Sequence, residues 1–170
     1  FSLFVVTFIL SWLVPVIGIL IKIESAGPVF FIQKRSGRYN NVFHCLKFRT
    51  MRVSPKSDVL QATKGDRRIT KIGAFLRRNS LDEFPQFLNV LTGDMSIAGP
   101  RPHMLTHTEQ YSKIINRYMV RQFVKPGISG WAQVNGYRGE TENPALMEKR
   151  VEHDIWYMEN WSLMLDIRII

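Results

Sequence analysis

Among its 170 residues the sequence holds a single cysteine, Cys45. An intrachain disulfide is therefore impossible, and a cysteine-based zinc site is excluded. A lone cysteine beside apolar Leu46 reads as a small core side chain. Acidic residues are scarce in the leading half: residues 1–21 carry no charge at all, and residues 22–80 carry 3 acidic side chains against 14 basic ones. No basic stretch precedes the opening apolar run and no small-residue cleavage site follows it, so a secretory signal peptide fits poorly. No Met opens the chain, which reads as a fragment of a longer one. There is no internal repeat and no low-complexity tract.

What is present is enough for one domain with a core. Hydrophobic residues make up 45% and charged residues 22%, which rules out wholesale disorder. The net charge is +9 and the pI about 10.0. Such a chain favours anionic partners: nucleic acid, anionic lipid or phosphorylated small molecules. The positive charge sits next to the uncharged start, because residues 81–170 carry 9 basic and 11 acidic side chains. An apolar segment leading directly into a basic half points to a membrane surface.

The opening run, FSLFVVTFILSWLVPVIGILI, is long enough to cross a bilayer. Pro15 removes a backbone donor and should kink it, with Ser11 placed to satisfy a freed carbonyl. Composition leaves two readings open, a kinked spanning helix or a re-entrant helix–break–helix. Lys22, Lys34, Arg35 and Arg38 put the C-terminal side in the cytoplasm. Residues 29–32 and 42–49 read as two strands of a hairpin around a turn at residues 36–41. The polar stretch 53–65 reads as a loop or short helix. Thr70 caps a helix to about Arg78. Ser80-Leu81-Asp82-Glu83 matches a capping box opening the next helix, which Gly93 ends, with Leu81, Phe84, Leu88 and Leu91 as its apolar stripe. Residues 99–102 and 125–131 are stiff loops. Residues 104–122 form a helix, and residues 145–159 another with Met147, Val151, Ile155 and Met158 on one face. The fold class is α+β, mostly helical with a small β-hairpin.

Asp82 and Glu83 form the most informative pair. At a helix N-terminus among basic residues, both carboxylates stay ionised. An ionised Asp in a phosphate-attracting site is a nucleophile toward phosphorus. Its neighbour suits Mg2+, which takes one or two carboxylates plus phosphate oxygens. The plainer alternative makes Glu83 a capping residue and Asp82 a first-turn Asp. Lys47 and Arg49 share one strand face, either as a phosphate clamp or as a solvated face. Arg101, framed by Pro100 and Pro102, is presented from a rigid backbone, for a role or merely for loop stiffness. Asp94 and Asp154 are weaker candidates, Asp94 as a local cap and Asp154 on the polar face of the last helix. His103 and His107 have helical spacing but no carboxylate partner for a metal. Trp156, Tyr157 and Trp161 read as core or as an interfacial belt.

Four segments taken in order carry a family resemblance: Lys47-Phe48-Arg49-Thr50-Met51, the run from Arg77 to Gln86 around Asp82-Glu83-Phe84-Pro85, the run from Asp94 to Pro102, and the run from Lys125 to Gly136. Together they resemble the bacterial sugar transferases, the monotopic polyprenyl-phosphate phosphoglycosyltransferases. Residues 136–141 and 150–154 look most like the branch that transfers glucose 1-phosphate. The resemblance implies transfer of a hexose 1-phosphate from a UDP-sugar to undecaprenyl phosphate, with UMP released, at the start of exopolysaccharide, capsule or O-antigen assembly. It implies that Asp82 forms a covalent phosphosugar intermediate and that Asp82 and Glu83 hold Mg2+. It implies phosphate or pocket roles for Lys47, Arg49, Arg78, Arg101, Gln133, Arg138 and Asp154.

It also makes residues 1–22 a re-entrant helix broken at Pro15, joined to a catalytic domain of residues 23–170 with interfacial amphipathic helices, on the cytoplasmic face of the bacterial inner membrane. Galactose or an N-acetylated sugar is the alternative cargo, and larger relatives carry further spanning helices upstream. The partners implied are the UDP-sugar, undecaprenyl phosphate and the bilayer, with no nucleic acid; the oligomeric state is open. Two rival classes remain. A membrane-tethered binder of nucleic acid or lipid explains the charge but not Asp82-Glu83. A two-carboxylate glycoside hydrolase needs carboxylates on opposite faces of its substrate, which adjacent residues supply poorly.

Overall fold

The computed structural model describes residues 1–53, 65–139 and 143–170. Most of the loop expected over residues 53–65, and Glu140 and Thr141, lie outside the described residues. The chain divides into two compact units: Phe1–Gln33 with His44–Leu91, and Lys34–Phe43 with Thr92–Ile170.

In the first unit the opening apolar run forms helix α1, Ser2–Glu24. Its turns widen to the π type over Val5–Leu10, and Pro15 stands inside the α-helical part, Ser11–Glu24. Val5, Leu10, Ile17 and Ile21 are buried, whereas Leu3, Phe8, Trp12, Ile19 and Ile23 are exposed. Ile17 and Ile21 join a core with Phe48 and Leu76, flanked by Val29, Phe30, Leu81 and Phe84. Helix α2, Lys71–Arg78, starts as expected at Thr70, whose hydroxyl accepts from the Gly73 amide at 3.0 Å. The Glu24 carboxylate accepts from the Lys71 and Ile72 amides at 2.6 and 2.8 Å, which ties the end of α1 to the start of α2. The expected capping box does not form. Ser80 adopts φ 56°, outside the extended region an N-cap needs, and makes no capping bond. A single 3-10 turn, Leu81–Glu83, stands there instead, and helix α3, Gln86–Leu91, follows Pro85. The Phe1 ring lies 6.1 Å from that of Phe87 on α3.

Strands β1, Phe30–Ser36, and β2, Val42–Phe48, form the expected hairpin. Tyr39 and Asn40 in its turn take positive φ. The Phe30 and Phe48 rings stack at 5.6 Å near its open end, in the first unit. The residues flanking the turn belong to the second unit.

The second unit contains a small sheet that the sequence reading did not foresee, with one strand inside the expected stiff loop 125–131 and the other just before the expected stiff loop 99–102. Strands β3, Ser96–Ala98, and β4, Gly127–Ser129, pair in parallel, with Ser96 opposite Gly127 and Ala98 opposite Ser129. The pairing depends on glycine: a Cβ on Gly127 would stand 2.2 Å from the Gly99 nitrogen.

The single helix expected over residues 104–122 is also corrected. Helix α4 covers Leu105–Tyr111, and a 3-10 segment follows at Tyr118–Phe123. Ser112, Ile114, Ile115 and Asn116 are weak helix formers, and Arg117 takes φ 60°, which ends any right-handed run. Helices α5, Trp131–Val134, α6, Pro144–Glu159, and α7, Leu163–Ile169, complete the chain. Met147, Val151 and Ile155 on α6 pack with Tyr111, Ile115 and Tyr118. Met158 packs elsewhere, against Ala98, Tyr157, Leu165 and Ile169. Tyr157 is core, Trp156 stacks on Trp131 at 4.9 Å, and Trp161 is exposed.

Candidate active site

In the first unit, β2 delivers Lys47 and the 3-10 turn delivers Asp82 and Glu83. Both carboxylates are buried. The Lys47 ammonium donates to Glu83 Oε1 at 2.7 Å. An ion pair competes better than a backbone amide for a carboxylate, and the Ser80 amide donates to the Arg77 carbonyl at 3.2 Å. Arg49, one residue past β2, is buried as well. Its Nη1 donates to the Ala26 carbonyl and its Nη2 to the Ser25 carbonyl at 2.6 Å, at the C-terminal end of α1. Arg77 donates to the Thr50 hydroxyl at 2.8 Å, while Arg78 at the end of α2 is exposed.

Two adjacent buried carboxylates with a cation on one of them are equipped for nucleophilic attack and for holding a hard cation. Their oxygens fit Mg2+. Among the described residues no group of three or more His, Cys, Asp and Glu side chains gathers, so further ligands would be water or phosphate oxygens.

The second unit holds Arg101, Gln133, Arg138 and Asp154. Arg101 is half-buried in the Pro-framed loop, and two buried or half-buried arginines hold that loop by its backbone. Arg121 Nη2 donates to the Arg101 carbonyl at 2.7 Å, and Arg35 Nη1 to the Pro102 carbonyl at 3.0 Å. Asp154 is not on a polar face: it is 1% exposed and accepts from Arg121 Nη2 and Nε at 2.6 and 2.9 Å. Met147, Val151 and Ile155 share one face of α6 as expected, and Asp154 lies beside them because Arg121 makes its burial tolerable. Arg150, one turn before Asp154, donates to the Tyr137 and Gly139 carbonyls at 2.8 Å each. Those two residues bracket Arg138, whose side chain is exposed. Gln133 is half-buried at the start of the segment after β4, with its Nε2 3.5 Å from the Ile128 carbonyl.

The charge balance here is lopsided. Burial, with Arg121 and Arg101 nearby, pulls the Arg150 guanidinium down to about 10. Burial pushes Asp154 up from its ordinary value against the pull of Arg121. His103 is buried beside the same arginines and donates to or accepts from the Tyr118 hydroxyl through Nδ1 at 2.5 Å. Burial first, then Arg121, Arg150 and Arg35, holds its imidazole well below its usual range. Arg121 and Arg150 were not singled out from sequence. The signal available was the four-residue spacing of Arg150 and Asp154 on a strongly periodic helix.

The family model described as bacterial sugar transferase matches residues 1–170. The chain is 56% identical over 156 residues to the UDP-glucose:undecaprenyl-phosphate glucose-1-phosphate transferase of Xanthomonas campestris pv. campestris, covering 91% of this chain and 32% of that protein. It is 53% identical over 168 residues to the transferase of the same name from Escherichia coli strain K12, covering 96% and 36%. A UDP-N-acetylgalactosamine-undecaprenyl-phosphate N-acetylgalactosaminephosphotransferase of Aeromonas hydrophila is 45% identical over 155 residues, covering 90% and 36%. The chain thus spans about a third of the length of these curated relatives. Matched from end to end by the family model, it belongs to the bacterial sugar transferase family.

Proposed function

We propose that this chain carries the catalytic part of a polyprenyl-phosphate hexose-1-phosphate transferase. The donor is a UDP-sugar, the acceptor is undecaprenyl phosphate, and the cargo is glucose 1-phosphate. A carboxylate oxygen of Asp82 attacks the sugar-side phosphorus of the donor. The bond from that phosphorus to the bridging oxygen breaks, and UMP leaves with the electron pair. The acceptor phosphate then attacks the same phosphorus, and the Asp82 carboxylate is released. Bound at Asp82 and Glu83, Mg2+ would supply charge neutralisation to the diphosphate. Lys47 pairs with Glu83, and the basic side chains Arg78, Arg101 and Arg138 are assigned to offset phosphate charge, with Gln133 as a polar contact.

The observation that carries this reading is the buried Asp82–Glu83 pair with the Lys47 ammonium on Glu83, in a chain of this family. The names of the Xanthomonas and Escherichia relatives favour glucose, and the Aeromonas relative keeps an N-acetylated sugar as the second reading.

The reading places the chain on the cytoplasmic face of the inner membrane, and the exposed apolar side of α1 supports the membrane contact. Its outer side presents Leu3, Phe8, Trp12, Ile19 and Ile23. Its two ends touch α3 and α2, elements of one compact unit. A helix crossing the whole bilayer would have to carry Phe87 and the polar residues Gln86 and Asn89 of α3 across with it. A helix that stays on one side avoids that cost, although α1 runs unbroken through Pro15 and does not show the break that the resemblance implies. On α7 the exposed Leu163, Met164 and Ile167 are suited to the interface.

The test is UMP release by the full-length protein in detergent with Mg2+, undecaprenyl phosphate and a panel of UDP-sugars. UMP is expected with UDP-glucose and is expected to vanish in Asp82→Asn. Release that survives Asp82→Asn removes the covalent route, and release with a different donor replaces glucose.

A further inference from the structure

Two loops of the second unit each carry an exposed or half-buried arginine, Arg101 and Arg138, and each loop is held by its backbone from below. The holders are both arginines. Arg121 takes the carbonyl of Arg101 itself. Arg150 takes the carbonyls on either side of Arg138. A guanidinium suits this task because its fork reaches two acceptors at fixed geometry. Arg121 uses Nη2 for both the Arg101 carbonyl and Asp154, and adds Nε to Asp154. Arg150 spends Nε on one carbonyl and Nη2 on the next.

Burying two guanidiniums this deeply needs a counter-charge. Arg121 is 5% exposed, Arg150 6% and Asp154 1%. Asp154 stands one helical turn after Arg150 on α6 and bonds Arg121 directly. No phosphate would approach a carboxylate so placed, since Asp154 is both negative and enclosed. The sequence reading that put it among the pocket residues therefore needs another role for it.

We propose that Asp154 is a positioning residue: with Arg121 and Arg150 it forms one buried unit that sets the backbones of the Arg101 and Arg138 loops together, so that both side chains meet the donor nucleotide's phosphates preorganised. This rests on the phosphate roles given to Arg101 and Arg138 above. The arrangement explains why a loop already stiffened by two prolines carries additional anchors. Prolines fix φ, but they do not fix where the loop stands relative to its neighbours. The two arginines on main-chain carbonyls do that, and Asp154 makes their burial possible. It also explains the unequal burial of the arginines: the holders are enclosed, while Arg138 reaches solvent.

The experiment is a double-mutant cycle on the full-length protein, read by UMP binding in a calorimetric titration and by KM for UDP-glucose and for undecaprenyl phosphate. Asp154→Asn keeps the side-chain shape and removes the charge. It is expected to weaken UMP binding roughly 10- to 100-fold, as Arg101→Ala does, with KM for undecaprenyl phosphate unchanged. In Arg101→Ala/Asp154→Asn the losses should not add, because the second change acts through a side chain already gone. A second cycle pairs Arg150→Lys with Arg138→Ala. Arg150→Lys keeps the positive charge and loses the fork, so it carries the test even where Asp154→Asn does not accumulate as folded protein.

Additive losses in these cycles would overturn the proposal, because a purely structural role weakens everything independently of Arg101 and Arg138. So would an equal rise in KM for both substrates. Wild-type protein that binds no UMP would instead overturn the donor assignment, which keeps the two failures apart.

Discussion

Replacing Lys47 with Met probes the centre of the site. The ammonium stands 2.7 Å from Glu83 Oε1, and the two side chains are 18% and 8% exposed. At that separation the gross attraction is about 6 kcal/mol with an effective dielectric of about 20. Desolvation of both ions offsets most of it, so the pair itself adds little to stability. Removing one partner is different, because the other is left buried and uncompensated. That costs about 3–5 kcal/mol for a fully enclosed pair. Water still reaches Lys47, which places Lys47→Met at about 2–3 kcal/mol. For a chain of this size the melting temperature should fall by about 4 to 12 °C.

Thermal melts of the detergent-solubilised protein read the loss, and UMP release reads activity alongside. Combining Lys47→Met with Glu83→Gln should recover most of the stability, since no buried charge remains, and none of the activity. A Lys47→Met protein that melts with the wild type would refute the pairing. A double variant with wild-type turnover would refute any part for the pair in the chemistry.

Two further outcomes follow from the second unit. His103 stays neutral in the fold while the unfolded chain binds a proton near pH 6.5, so the unfolded state gains protons first and stability falls as pH drops below about 6.5, at up to about 1.4 kcal/mol per unit. Urea unfolding at pH 7.5, 6.5 and 5.5 measures this, and a His103→Gln protein with the same slope would reject it. Gly127→Ala should prevent accumulation of folded protein, because its Cβ would stand 2.2 Å from the Gly99 nitrogen and 2.6 Å from the Gly99 carbonyl oxygen. Near-wild-type solubility and melting would mean that β3 and β4 can separate at little cost.

The strongly periodic and capped elements were legible in the sequence: the hairpin, the Thr70-capped helix and the last long helix all stand where pattern and caps put them. The short parallel pair was not. Its strands are three residues each and lie in glycine- and proline-rich segments, and they exist because glycine lets two backbones approach, a long-range fact with no local signature. The capping box failed for a related reason. Ser80 to Glu83 has the right letters, but a lysine 36 positions upstream claims the glutamate. Asp82, Glu83, Lys47 and Arg101 stood out by residue type and spacing, and the structure buries the two carboxylates and pairs Glu83 with Lys47. Arg121 and Arg150 were missed because they act through main-chain carbonyls, which any sequence supplies at every position.

Helix α1 could not be exchanged freely for another apolar helix. Four of its apolar side chains, Val5, Leu10, Ile17 and Ile21, are enclosed by the protein, and its one acidic residue, Glu24, caps another helix. Helix α1 is thus no interchangeable appendage but part of the interior of its unit. Its outward side could be rewritten with other apolar residues of similar length, because lipid imposes no shape. Its inward side could not: a grafted apolar helix from an unrelated protein would leave a gap against Phe48 and Leu76, and the first unit would lose part of its core.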